Sequence, residues 1–334
     1  MWKMMQCAVR GRGHEWSHIP CQDKTFFLEA CGVSALSLAD GAGSAKLSHF
    51  GAENVTETVC KILVQHFDEF YEEKNAAVVK QYFLHAVLER LRNLAEYLGC
   101  EIGDLASTLL FVAIKDKKFL IGHIGDGVIG YSKNQEIKVV SAPQNGEFAN
   151  TTFFTTSSQA LNVFRLIKGT TKKGIDGFVL MSDGSEASFY NKKHKALGKG
   201  VLRLMNLLRI CVPVELSSRF NSFMYNCIRF NTIDDCSMAL IVKREERNFN
   251  EESIKLRASL LNVSLYDKCA RRRIKKYQQL LEGLAIPSTR VELVRKSHIH
   301  KKHIKKDLIA LMNANLIECS NGYYYSAIEK DVEA

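Results

Sequence analysis

The sequence predicts an α+β fold of mainly antiparallel sheets flanked by helices, followed by a small, mostly helical and basic unit. Three observations carry this expectation. Strand-like apolar runs recur at hairpin spacing, two long stretches of helical periodicity lie between them, and the positive charge gathers in one late segment. Regular strand–helix–strand alternation, which would imply a parallel sheet, is absent.

The elements follow in order. Residues 25–30 (TFFLEA) and 33–39 (VSALSLA) flank Gly32 as a hairpin. Residues 45–73 place Leu47, Phe50, Val55, Val59, Ile62, Leu63, His66 and Phe67 at helical spacing. A second helix is expected from about Ala76 to Leu98, through Val79, Phe83, Val87, Leu91 and Leu94. STLLFVAI and KFLIGHIG read as two strands about the turn KDKK, with further strands in GYSKNQEIKVVS, GFVLMS and SMALIV. The composition shifts at residues 243–253 (KREERNFNEES), which divides the chain into domains 1–245 and 246–334. Beyond it, Arg273–Leu284, Ser288–Lys296 and Lys301–Asn313 read as three helices, with Pro287 and Ser288 supplying a stop and an N-cap. LIECSNGYYYSA closes as a hairpin turning at Asn321–Gly322. Three helices and a hairpin make a winged-helix-like layout.

Composition narrows the function classes. The 334 residues are 46% apolar and 25% charged, ordinary for a folded globular chain rather than a disordered one. No apolar run approaches a membrane span, and the opening MWKMMQCAVRGRGHEW lacks the apolar core of a secretory signal. Ten Cys without a CxxC pair read as reduced, mostly buried thiols, so a cytoplasmic location is expected. The net charge of +10 is local: Lys268 to Lys306 carries thirteen Lys or Arg against two acids. Such a segment suits a DNA or protein partner, or is simply a solvated face.

The chemistry-bearing pattern is acidic. Asp23, Asp40, Asp126, Asp183 and the pair Asp234–Asp235 each sit at the edge of a strand-like run. Clustered carboxylates repel one another and raise each other's pKa unless cations lie among them. Oxygen donors without Cys or His favour Mg²⁺ or Mn²⁺ over zinc. A single Asp-Gly is ordinarily a turn, but three after apolar strands and an Asp-Asp before one are harder to read that way.

These segments together resemble the metal-dependent PP2C-type (PPM) Ser/Thr protein phosphatases, and among them the bacterial branch. GHEWSHIPCQDKTFF, with His14 and Asp23, is similar to that branch's opening. ADGAGSAKLSHFGA, ASTLLFVAI, IGDG, PQNGEFANTTFF, GFVLMSDGSEA and DDCSMALI resemble the family's later segments in the family's order, over about residues 8–243. The resemblance implies an α-β-β-α sandwich and hydrolysis of phosphoserine or phosphothreonine in proteins by a water bridging two Mg²⁺ or Mn²⁺ ions. Asp40 would bridge both ions, with the Gly41 carbonyl on one. Asp183 and Asp234 would bind the first ion, and Asp23 the second mainly through water. Asp126 with Asp183 would hold a third, and Asp235 fills a place usually Asn or Asp. A phosphoprotein substrate and a cognate Ser/Thr kinase are the implied partners.

Two positions depart from the eukaryotic pattern. His18 stands where an Arg would grip the phosphate, leaving His14, Arg10 and Arg12 as further candidates. Ala42 stands where a His would be a candidate general acid. The intact acidic set favours an active enzyme over a nucleic-acid-binding or protein-interaction regulator with a sensor phosphatase-like domain. Other signals carry less. His298, His300 and His303 lie among lysines that oppose a cation, and Gly11-Arg12-Gly13 is not followed by a Walker motif. Cys21, Cys236 and Tyr323–Tyr325 read as packing residues.

Overall fold

Two-residue alternation along Val33–Ala39 sets the layers of the larger unit. Val33, Ala35 and Ala39 pack toward two long helices, whereas Leu36 and Leu38 pack toward a second sheet. The computed structural model describes residues 1–144, 152–211, 213–244, 249, 252–297 and 299–328. Residues 145–151 of the PQNGEFANTTFF stretch, and His298, lie outside the described residues.

The first elements are β1 (Trp2–Val9), α1 (Arg12–Trp16), β2 (Lys24–Ala30), β3 (Val33–Ala39), α2 (Ser48–Glu72) and α3 (Ala76–Leu98). Then come β4 (Leu109–Lys115), β5 (Lys118–Ile124), β6 (Val128–Lys133), β7 (Glu136–Ser141), α4 (Ala160–Val163), β8 (Arg165–Thr170) and β9 (Ile175–Met181). α5 (Asp183–Phe189), β10 (Tyr190–Asn191), β11 (Ala196–Leu197), α6 (Lys199–Ile210), α7 (Pro213–Asn226) and β12 (Cys236–Lys243) follow. The chain forms two compact units, Trp2–Leu202 with Phe220–Val242, and Met1, Arg203–Arg219 and Lys243–Ala334.

In the first unit the sheets run β1-β12-β9-β6-β7 and β2-β3-β4-β5-β8. The pairings β2–β3, β3–β4, β4–β5, β5–β8, β6–β7, β6–β9 and β9–β12 are all antiparallel. Leu36, Val112 and Ile121 of one sheet meet Phe178, Leu180 and Ile241 of the other in a sealed apolar layer. On the outer face, Ala35, Phe111 and Ala113 meet Val59, Leu63 and Phe67 of α2 and Phe83 of α3. The anticipated α+β class and two antiparallel sheets flanked by helices are what the chain forms.

Both long helices lie where the spacing placed them, and Asn75 caps α3 by accepting from the Ala77 N–H at 3.0 Å. β1 and β8 complete the sheets without having been anticipated. In β1 Lys3, Met5, Cys7 and Val9 are the buried set, and the buried Lys3 disguises the alternation.

The second unit contains α8 (Ile254–Leu260), α9 (Ala270–Gly283), β13 (Ser288–Thr289), α10 (Arg290–Ser297), α11 (Lys301–Asn313), β14 (Ile317–Ser320) and β15 (Tyr323–Ser326). Its sheet order is β13-β15-β14. Ile274, Leu280, Leu293, Ile304, Leu308 and Leu311 are buried, and Lys276 of α9 pairs with the buried Asp307 of α11. The start of α10 differs from the expectation. Ser288 joins β13, and Thr289 and Glu292 form the reciprocal cap, with the Thr289 N–H donating to Glu292 Oε2 at 2.7 Å and the Glu292 N–H to Thr289 Oγ1 at 3.4 Å.

Candidate metal centre

Each candidate aspartate lies at or close to the end of a strand. Asp40 follows β3, Asp126 lies between β5 and β6, Asp183 opens α5 directly after β9, and Asp234 precedes β12. Because the strand interiors are apolar and locked into two sheets, these ends are fixed in space. Asp40, Asp126 and Asp183 each place a carboxylate oxygen within 4.8 Å of the others.

Local hydrogen bonds hold them. The Asp40 N–H donates to Thr108 Oγ1 and the Thr108 N–H to the Asp40 carbonyl, both at 2.8 Å. Thr152 Oγ1 donates to Asp126 Oδ2. Asp23 is buried and accepts from Ser182 Oγ at 2.7 Å; that oxygen in turn accepts from the Ser237 N–H at 3.1 Å. Gly41 donates its N–H to the Gln22 carbonyl at 3.2 Å and packs so close to Ser48 that a Cβ would lie 2.8 Å from that side chain.

Asp234 and Asp235, adjacent in sequence, are used differently. Asp234 faces the acidic group, and its carboxyl is raised by burial, with the charges of Asp235 and Asp126 adding to it. Asp235 instead accepts from the Gly11 N–H at 2.6 Å through Oδ1 and from the Gln22 N–H at 2.5 Å through Oδ2. His14 Nδ1 lies 2.9 Å from the same Oδ1. Asp235 is therefore the clamp on the loop that carries Asp23. The clamp requires backbones in contact: a Cβ on Gly11 would lie 2.3 Å from the Asp234 carbonyl carbon, and one on Gly184 would lie 1.9 Å from the Asp235 carbonyl oxygen.

The phosphate-gripping candidates separate. His14 is turned to Asp235, and His18 is exposed on a left-handed turn (φ 56°) after α1. Arg10 donates to the His14 carbonyl at 2.7 Å while its Nε is buried without a partner. Arg12 donates to the Phe230 and Thr232 carbonyls. Ala42 is buried. Cys21 and Cys236 are held as thiols by burial, with Cys236 pushed up to about 12.

Electrostatics shows what the donor set suits. Burial, and then the charge of Asp235, raises Asp23 to about 7. Burial, with Asp126 and Asp234, raises Asp183 to about 6. Asp40 is raised well above its ordinary value by burial and then by Asp23, Asp183, Asp234 and Asp126. Asp23 Oδ1 and Asp183 Oδ1 are buried without any hydrogen-bond partner. Orphaned anionic oxygens at the focus of mutual repulsion, with no Cys or His in the converging group among the described residues, fit hard divalent cations.

Sequence reading did not single out Thr108, Thr152 and Ser182 as supporting residues. Thr108 and Thr152 lie in stretches already noted, and Ser182 directly precedes Asp183, so adjacency to the acidic motifs was the available signal.

Two antiparallel sheets whose strand ends gather carboxylates define a class of metal-dependent phosphatase fold. The protein phosphatase 2C family profile matches residues 10–212, and the chain belongs to that family. Serine/threonine-protein phosphatase 3 of Escherichia coli (strain K12) is 25% identical over 166 residues, which cover 48% of this chain and 65% of that protein. The chain thus spans just under two thirds of that relative's length. A solved bacterial serine phosphatase superposes with a TM-score of 0.52 at 14% identity, covering 74% of this chain and 100% of that one. Serine/threonine phosphatase Stp1 from Staphylococcus aureus gives a TM-score of 0.50 at 14% identity, covering 73% of this chain and 96% of that one. These likenesses concern the fold.

Proposed function

We propose that the chain is a protein-serine/threonine phosphatase that works with two Mg²⁺ or Mn²⁺ ions, and a third more weakly held. The observation that carries this reading is the convergence of the half-buried Asp40, Asp126 and Asp183, with unpartnered oxygens on Asp23 and Asp183. Asp40, Asp183 and Asp234 would hold one ion, with Asp40, Asp23 and the Gly41 carbonyl at the other, and Asp126 with Asp183 at the third. When bound, the cations would neutralise charge on the phosphoryl oxygens and acidify the attacking water.

The chain's own residues do the rest. Thr108 fixes the Asp40 backbone, and Ser182 orients Asp23. Asp235 ties down the loop bearing Arg10, His14 and His18, the candidates for meeting a substrate phosphate. Ala42 offers no proton, so no side chain at that position protonates the leaving serine or threonine oxygen. The test is hydrolysis of p-nitrophenyl phosphate and a phosphopeptide with and without Mn²⁺, using wild type, Asp40→Asn and Asp183→Asn. Turnover that needs Mn²⁺ and falls at least a hundredfold in both variants is expected; a wild type with no metal-dependent turnover sinks the reading.

Residues 1–245 are read as the phosphatase domain and 246–334 as a winged-helix-like domain. Exposed Lys301, Lys302, Lys305 and Lys306 on α11 support a DNA partner for the latter. Replacing all four with Gln in the full chain should lower the salt slope of duplex binding by about 3–4, one counterion per lost phosphate contact. Salt-insensitive or absent binding by the wild type points to a protein partner. A cytoplasmic location and a cognate Ser/Thr kinase there belong to the same proposal; no helix of the described residues is long and apolar enough to cross a membrane.

A further inference from the structure

The face beside the acidic centre carries large apolar side chains that burial leaves uncovered. Trp16 is 70% exposed, Ile233 65%, Phe230 56% and Tyr225 48%. Singly such residues are ordinary, but a contiguous group is not. Trp16, Phe230 and Tyr225 are contiguous through two arginines. The Arg12 guanidinium lies 5.9 Å from the Trp16 ring and 5.4 Å from the Phe230 ring. That of Arg229 lies 4.1 Å from the Tyr225 ring and 5.9 Å from Phe230, and it also pairs with Glu15. Ile233 sits against Gly13, whose N–H donates to the Ile233 carbonyl at 2.8 Å.

The stacking does more than decorate the surface. Arg12 is fixed by the Phe230 and Thr232 carbonyls, so the indole of Trp16 and the ring of Phe230 stand on a braced platform. Rigid aromatic area of this kind gains most when a partner covers it, because little side-chain freedom is lost. Ile233 is next to Asp234, and α1 begins one residue after Gly11, whose N–H is held by Asp235. Tyr225 also lines a cleft of about 630 Å³ that reaches Arg10, the residue before Gly11. The patch is therefore continuous with the place where a substrate phosphate would lie.

We propose that this platform docks apolar side chains flanking the phosphorylated residue of a substrate protein. The inference rests on the phosphatase reading and specifies its substrate class: phosphoserine or phosphothreonine set between aliphatic or aromatic neighbours. Trp16 and Phe230 are the docking residues, and Arg12 is the positioning residue between them.

Two phosphothreonine nonapeptides test it, one flanked by Leu and Phe and one flanked by Ala, alongside p-nitrophenyl phosphate, all with Mn²⁺. The wild type should favour the apolar peptide about tenfold in kcat/KM, the scale of half-burying one aromatic side chain. Trp16→Ala and Phe230→Ala should each erase most of that preference through KM, with p-nitrophenyl phosphate turnover within twofold of wild type and Trp16→Phe retaining the preference. No preference in the wild type, a preference unchanged in both variants, or parallel loss of p-nitrophenyl phosphate turnover would overturn the proposal.

Binding is read separately. The chain has two tryptophans, so Trp2→Phe leaves Trp16 as the sole indole. Titrating this metal-free variant with the apolar phosphopeptide should shift Trp16 emission. A shift with no wild-type turnover would defeat the phosphatase reading and leave the surface standing, whereas turnover with no shift would defeat the surface alone. A dimer in light scattering that Trp16→Ala dissociates would assign the face to self-association and also overturn the proposal.

Discussion

Replacing Asp235 with Asn should unsettle the metal-free protein before any chemistry is measured. The carboxylate accepts from two backbone donors, Gly11 N–H at 2.6 Å and Gln22 N–H at 2.5 Å, and His14 Nδ1 stands 2.9 Å away. An amide keeps one oxygen and turns an NH₂ toward whichever donor it abandons. One charge-assisted bond is lost, at roughly 1.5–3 kcal/mol, and one buried N–H is left facing a donor, at roughly 1–3 kcal/mol. Against this stands relief of repulsion, since the Asp235 charge raises both Asp23 and Asp234. The hydrogen-bond losses win because that repulsion is spread over several carboxylates, so a net loss of about 2–4 kcal/mol is expected. Urea unfolding in EDTA, followed by fluorescence, reads it directly. Metal titration of the same variant separates clamp from ligand: at temperatures well below unfolding, a clamp variant still binds Mn²⁺ at the Asp40 centre. A variant as stable as wild type in EDTA, yet deficient in Mn²⁺ binding, would refute the clamp argument and return Asp235 to the ligand set.

Three further outcomes follow from the same geometry. In metal-free protein, Asp23 and Asp183, raised to about 7 and about 6, make the folded chain hold more protons than the unfolded chain above about pH 4. Their contribution to stability is thus greatest at low pH and is lost as pH rises toward 7; saturating Mn²⁺ should abolish that fall in melting experiments across the pH range. His123 has the opposite sign: burial lowers it to about 3, so stability is lost as pH falls below about 6.5, and its ring NMR signals should stay unchanged from pH 8 to 4.5. Gly184→Ala should cost roughly 3 kcal/mol or more in urea unfolding, because its Cβ would meet the Asp235 carbonyl oxygen at 1.9 Å.

Elements whose signal is their own side-chain period were readable from the sequence. α3 and α11 begin and end at the expected residues, because each carries a regular buried face bounded by breaks in that pattern. β1 was not, since one buried lysine interrupts its alternation. The helix α5 was hidden for another reason: its SDGSEA start was read for chemistry, and an acidic residue at a helix start serves both. The candidate site was readable as a set of carboxylates but not as a division of labour. What separates Asp234 from Asp235 is the pair of backbone donors at Gly11 and Gln22, and nothing beside residues 234–235 announces them. Likewise Ser288 reads locally as the cap of α10, yet antiparallel pairing with Tyr324 draws it into a strand and passes the cap to Thr289.

The Asp235 clamp also places the site in time. Its donors at Gly11 and Gln22 lie 224 and 213 positions earlier in the chain. At ordinary rates of synthesis roughly 10–40 s pass between making the first of these partners and the last. Until then the loop bearing Asp23 lacks its Asp235 anchor, and β12, which pairs with β9, does not yet exist. A nascent chain not yet extended past β12 therefore carries most of the acidic residues without that clamp. On the proposed reading, the clamp would couple assembly of the acidic centre to the finished first unit rather than to the arrival of any one carboxylate.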